Sequence, residues 1–295
     1  MRRAAIAFSA FFIWMSASFA QNNPDGAPYL GQRPPGRVPS VFAPGVISKG
    51  NIHSRLVISP DGRTMLWNTF NLDAGTVQIL CIRNVDGKWT DPQPPPFARG
   101  GNTQSPMFGP DGKKLFFAVE TEKGWATRYV EMTDSGWSDP SSDGILLNCS
   151  SSFTRSGGAY FSDKMKTKTW GTGIFSARYS QAGYSDSRPL GDSINVPKAI
   201  DYTPFVSPDE SFLLFSSNRP HIGDKEDMHI CVSFNLGKGV WSEPKRVADI
   251  PARFPSLSPD GKVLFFCGDD GNIYWVDAAV IESFRPASSG PGAKS

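Results

Sequence analysis

After its first twenty residues, this chain of 295 has no apolar run long enough to cross a membrane. It has no surplus of charge: 30 basic residues stand against 28 acidic ones, well mixed and without long runs of one sign. That balance excludes the electrostatic footprint of a nucleic-acid or anionic-membrane binder. Histidine is scarce, with only His53, His221 and His229. Cysteine is scarce too, and no two of Cys81, Cys149, Cys231 and Cys267 have the spacing of a zinc or redox motif. Three of the four sit in apolar runs and read as small buried thiols, with a disulfide framework as the alternative if the compartment is oxidising. There is no Gly-x-Ser-x-Gly elbow and no Gly-rich phosphate loop. No long apolar pattern of period 3.6 is present, which excludes a helical solenoid. No cofactor and no metal are expected.

What is present begins with an export signal. Met1-Arg2-Arg3 is basic, Ala4 to Met15 is mostly apolar, and Ser18-Phe19-Ala20 offers a small-residue cleavage site. Residues 1–20 therefore read as a signal peptide cut after Ala20, and the protein as periplasmic or secreted. The alternative is an uncleaved anchor, for which the apolar stretch is short. Residues 21–39, rich in Pro, Gly and Asn, read as an N-terminal arm. Residues 287–295 read as a flexible tail.

One phrase recurs between these ends. It reads Ser59-Pro60-Asp61-Gly62, Gly109-Pro110-Asp111-Gly112, Ser207-Pro208-Asp209-Glu210 and Ser258-Pro259-Asp260-Gly261, each followed by an apolar or aromatic run. Its chemistry is that of a tight hairpin turn. Proline presets φ, aspartate bonds the backbone two residues on, and glycine accepts a positive φ. A degenerate copy, Phe153-Thr154-Arg155-Ser156-Gly157, fills the wide gap between the second and third phrases. A second mark closes each unit, as in Gly87-Lys88-Trp89 and Gly136-Trp137-Ser138-Asp139-Pro140. A third strand is expected between the marks, over 76–83, 125–132, 173–179, 228–234 and 272–276.

Four short antiparallel strands repeated at a period of about fifty residues are the signature of β-propeller blades. The fold class expected is all-β, a single propeller domain over residues 40–286. Five blades are favoured. Six would need a fragmentary unit in residues 21–50. A β-sandwich does not explain the constant interval. The last unit lacks an outer strand, and the apolar segment Ser40 to Ile47 is expected to supply it, joining the chain ends. A short helical turn is expected over 277–284.

The turn phrase, the third strand and the Trp-Ser-x-Pro closing strand resemble the WD40-like (PD40) repeat of TolB-type propellers over nearly all of residues 40–286. The segments that carry the likeness include Asp209 to Pro220 and Ser256 to Asp277. The third unit departs, with Arg155-Ser156 where Asp-Gly is expected, and the fourth has Glu210 for Gly. The resemblance implies a propeller of the bacterial envelope. It carries over no catalytic set, because the repeat residues are structural. The separate N-terminal domain of TolB has no counterpart here.

Candidate site residues are then those that vary among similar repeats at the start of each inner strand, where they meet the channel mouth. They are His53, Arg55, Gln104, Asn148, Asp201, Tyr202 and Arg253. His53 is tunable near neutral pH, and Asp201 is suited to orient it or act as a carboxylate acid. The reading that follows is a monomeric binding or scaffold protein for a peptide, glycan or envelope-protein partner. The alternative is a small hydrolase or lyase acting on a glycan at the channel face. The hairpin residues Asp61, Asp111, Asp209 and Asp260 read as turn caps.

Overall fold

The structure, a computed structural model, describes residues 28–52, 54–133, 136–142, 151–165, 171–180, 183–197, 199–219 and 227–287. Residues 1–20, expected to be a signal peptide, the tail from 288 on, His53, Asn148, His221 and Cys149 lie outside these residues.

The first strand, β1 (Ser40–Val41), belongs to the last blade. Blade 1 is β2 (Val57–Ile58), β3 (Thr64–Asn71), β4 (Thr76–Val85) and β5 (Lys88–Trp89). Blade 2 is β6 (Thr103–Phe108), β7 (Lys114–Thr121), β8 (Gly124–Thr133) and β9 (Gly136–Trp137). Blade 3 is β10 (Ser152–Phe153), β11 (Gly158–Lys164), β12 (Thr172–Ser180) and β13 (Gly183–Pro189). Blade 4 is β14 (Asp201–Val206), β15 (Phe212–Ser217), β16 (His229–Gly237) and β17 (Val240–Trp241), with β18 (Lys245–Arg246) also paired to β16. Blade 5 is β19 (Ala252–Leu257), β20 (Val263–Gly268) and β21 (Ile273–Asp277). Each blade is an antiparallel sheet, and the five make a five-bladed propeller. The ring closes where the sequence placed the latch: Ser40 pairs with Trp275 and Val41 with Tyr274. A short helix, α1 (Ala279–Glu282), follows β21. Among the described residues, no helix is long and apolar enough to cross a membrane.

The apolar runs after each turn become the second strand of each blade. Blades stack face to face, so such a strand is covered on both sides and both sets of alternating side chains are apolar. Leu264 and Phe266 pack toward blade 4, while Val263 and Phe265 pack toward blade 1. A hydrophobic cluster fills each of the five seams. The seam between blades 5 and 1 holds Phe42, Trp67, Phe265 and Trp275, and Phe42 meets the last two rings at 5.2 and 4.9 Å. The latch is therefore a packed joint as well as a strand pair. Leu30 of the arm is buried in the same cluster, so the arm is anchored here.

The turn phrase behaves as its chemistry requires. The Gly62 N–H donates to the Ser59 carbonyl at 2.8 Å, and Asp61 accepts the Arg63 N–H at 3.0 Å. Asp111, Asp209 and Asp260 cap their turns in the same way. Blade 3 corrects the expectation that Arg155-Ser156 replace Asp-Gly. Arg155 and Ser156 stand at the Pro and Asp positions, and Gly157, not Ser156, carries the positive φ of 88°. The loss of proline has a use: the Arg155 N–H donates to the Pro208 carbonyl of blade 4 at 2.8 Å, a bond that proline cannot make. At Gly112 a Cβ would stand 2.4 Å from the Pro60 ring, so glycine there also allows neighbouring turns to touch.

Candidate functional site

The inner strands β6, β14 and β19 share an irregularity. Their register slips between Gln104 and Met107, Tyr202 and Phe205, and Arg253 and Ser256. At each slip a non-glycine residue sits in the left-handed region, Ser105 at φ 56°, Thr203 at 52° and Phe254 at 60°, and a proline follows. Proline belongs at such a bulge because no ladder bond is asked of its nitrogen. The strained residue's own N–H is satisfied by the preceding blade. Ser105 donates to Asn68 Oδ1 at 3.2 Å, Thr203 to Ser162 Oγ at 2.8 Å and Phe254 to Ser216 Oγ at 3.2 Å. These bonds fix neighbouring blades to one another next to the axis.

Blade 1 has Arg55 at the corresponding position, without a positive φ. Its side chain fills the axis. Nε donates to the Pro255 carbonyl at 2.9 Å and Nη1 to the Ser151 carbonyl at 2.9 Å. Nη2 donates to the Thr203 and Pro204 carbonyls at 3.2 and 2.7 Å. One side chain of blade 1 thus holds blades 3, 4 and 5. Arg55 is 5% exposed and has no carboxylate partner among the described residues. Burial lowers its pKa to about 10, so it stays charged at neutral pH.

The other sequence candidates divide into separate groups. Asp201, fully buried, accepts from Arg219 Nη2 at 2.9 Å and from the Ser217 hydroxyl at 2.6 Å. Arg219 also donates to the Ser193 and Ile194 carbonyls, so this pair pins the loop that enters blade 4. Tyr202 and Arg253 come together near the starts of β14 and β19, where Arg253 reaches Asp269 at 3.3 Å and Tyr202 packs edge-on against Phe254. Burial drives the Tyr202 hydroxyl far above the usual phenol range, against the opposing pull of Arg253. Gln104 is half-buried on β6. Cys81, Cys231 and Cys267 are free, buried thiols, each raised to about 12 chiefly by burial. Among the described residues, no three His, Cys, Asp or Glu side chains gather at one point.

A concavity that the sequence did not mark lies at the other end of the axis. It is a funnel of about 400 Å³ at the face carrying the turn phrases, lined by residues of all five blades. Ile58, Met107, Phe108, Phe153, Phe205 and Leu257 supply its apolar wall, and Pro60, Pro110, Pro208 and Pro259 its rim. Arg55 lies at its floor and Arg155 at its edge. The funnel shares Ile58, Pro60 and Pro259 with a second cavity of about 390 Å³ beneath Tyr29 of the arm. That cavity shares Pro28, Tyr29 and Asp260 with a third of about 610 Å³, reaching Phe212 and Ile281. The wall residues escaped sequence reasoning because an apolar strand end reads as core. The one available signal was an arginine standing where the other inner strands carry Ser, Thr or Phe.

No protein-family model matches the chain, and no curated protein does. Among solved structures, it is similar to a chain of a nidogen–laminin complex, with 11% identity, TM-score 0.46, and coverage of 73% of this chain and 74% of that one. It is similar to a gluconolactonase from Xanthomonas campestris, with 12% identity, TM-score 0.45 and coverage of 82% and 98%. A puromycin-hydrolyzing peptidase from Mycobacterium tuberculosis gives 13%, 0.39 and coverage of 80% and 46%. Likeness at this level bears on neither substrate nor partner.

Proposed function

We propose that this protein is an extracytoplasmic binding protein of the PD40-like propeller type, which takes a peptide segment of a partner into the axial funnel. The observation that carries the reading is the convergence of all five blades on one concavity of about 400 Å³ with an apolar wall. That size and lining suit a ligand site. The adjoining cavities along the arm extend it into a track, which favours an extended chain over a compact small molecule. Asp201 and Arg253, two of the charged candidates from the sequence, are held by Arg219 and Asp269, which favours binding over acid–base chemistry by them.

The test places a photo-crosslinking amino acid at Leu257 in the funnel and, as a control, at the exposed Thr133 that ends β8 of blade 2. The protein is irradiated with a pool of random synthetic decapeptides. Crosslinks from position 257 that an excess of unlabelled pool suppresses, with none from 133, are expected. Equal labelling at both positions refutes the reading.

A further inference from the structure

The funnel's wall is apolar, its rim carries Asp111 and Arg155, and at its floor the unsatisfied chemistry has one sign. Arg55 has five N–H donors and spends four of them on carbonyls, leaving one on Nη1 without an acceptor among the described residues. Beside it, Ser152 lines the same funnel and is 6% exposed. Its oxygen accepts the Val206 N–H at 2.9 Å, while its hydroxyl hydrogen has no acceptor among the described residues. The two spare donors are neighbours, because Nη1 is bonded to the carbonyl of Ser151, the residue before Ser152. A buried cation whose partners are carbonyls and the Phe205 ring, 6.0 Å away, has no counter-charge among the described residues and is electrostatically incomplete. The acid at this rim, Asp111, is turned back onto the Lys113 N–H.

From this pair of donors under an apolar wall, we infer that the funnel takes the C-terminus of a peptide. The free α-carboxylate accepts from Arg55 Nη1 and the Ser152 hydroxyl. The last side chain, apolar, packs among Phe108, Phe153, Phe205 and Leu257. The preceding residues leave past Pro60 and Pro259 along the arm. This inference rests on the funnel being the binding site and adds the chemistry of what enters it.

The probes are N-terminally labelled hexapeptides ending in Leu or Phe, each made as the free acid and as the C-terminal amide, and 4-phenylbutyrate as a small apolar acid. Fluorescence polarisation is expected to show the acids binding about tenfold tighter than the amides, the scale of one charge-assisted hydrogen bond. Ser152→Ala is expected to weaken the acids severalfold and the amides by a smaller factor, because a charged acceptor loses more than a neutral carbonyl does. In ¹⁵N-labelled protein, the Arg55 Nε–H resonance is expected to shift with the acid and not with the amide. Equal binding of acid and amide overturns the carboxylate inference while leaving the funnel reading in place. A small acid that binds as tightly as the peptide overturns the choice of a peptide. If no probe binds but Leu257 still crosslinks, the inference alone fails; if both are silent, both fail.

Discussion

Arg55 offers a test in which size and polarity predict opposite orders. Replacing it with methionine keeps most of the volume but removes every donor. The carbonyls of Ser151, Thr203, Pro204 and Pro255 then face an apolar side chain of similar bulk that keeps water from them. At about 1 kcal/mol each, the low end for a buried unsatisfied acceptor, the four give a loss of about 4 kcal/mol. Alanine removes the same donors but leaves a polar void, where two waters, each donating two hydrogen bonds, can serve the four carbonyls at a cost of about 1 kcal/mol each. Alanine is therefore expected to lose only about 2 kcal/mol. Lysine keeps the charge and three donors without the planar fork, and belongs between alanine and the native residue. The expected order of stability is Arg, Lys, Ala, Met. Equilibrium urea denaturation of the four proteins reads it as a falling midpoint at constant slope. A methionine variant as stable as the alanine one, or more so, would refute the hub, because packing would then outweigh the carbonyls.

Three further outcomes are expected. Glu210 occupies the turn's glycine position at φ 59°, a conformation that costs a non-glycine residue about 1 kcal/mol, and its carboxylate accepts from the buried Tyr160 hydroxyl at 3.0 Å. Glu210→Gly should therefore stabilise the protein by about 1 kcal/mol in a Tyr160→Phe background and by clearly less in the native one; equal effects would remove the coupling. His229 is buried, and its pKa lies below 6.5 through burial and the nearby Arg246. The unfolded chain then binds a proton that the folded one refuses, so stability is present above pH 6.5 and is lost as pH falls through the window down to the folded pKa. The loss should be visible in melting temperature between pH 7.5 and 5.5 and smaller in His229→Gln; an unchanged slope in the variant would assign it elsewhere. Protein recovered from the extracytoplasmic fraction should begin at Gln21 on N-terminal sequencing, and a start at Met1 would contradict cleavage.

The turns, the blade count and the latch could be read from the chain because their causes are local or periodic. Pro60, Asp61 and Gly62 act on one another within a single turn, and the alternation in Val263 to Phe266 repeats in every blade. Arg55 drew attention only as a polar residue near a mouth. Its partners lie 96 to 200 residues away, and each is a backbone carbonyl, a group that every residue carries and no side chain announces. The bulges show the same limit. Ser105-Pro106, Thr203-Pro204 and Phe254-Pro255 are visible as dipeptides, but the strained residue's N–H is answered by Asn68, Ser162 or Ser216 of another blade. The funnel wall was hidden for a different reason. Phe108, Phe153 and Leu257 have the composition of core, and only the geometry of five strand ends leaves a space between them.

The latch has a consequence in time. Ser40 pairs with Trp275, so the ring's first strand waits for almost the whole domain to be made before it has a partner. Arg55 waits as well, since every carbonyl it holds belongs to blades 3, 4 or 5, all synthesised after it. A chain emerging from its N-terminus can form hairpins early, but its centre stays an exposed charge and its first edge an open strand until blade 5 arrives. Such late closure carries the entropy of a very long loop and slows the final step. A protein whose last bond is also its longest-range one can pass through a narrow passage while still a thread and lock only on the far side.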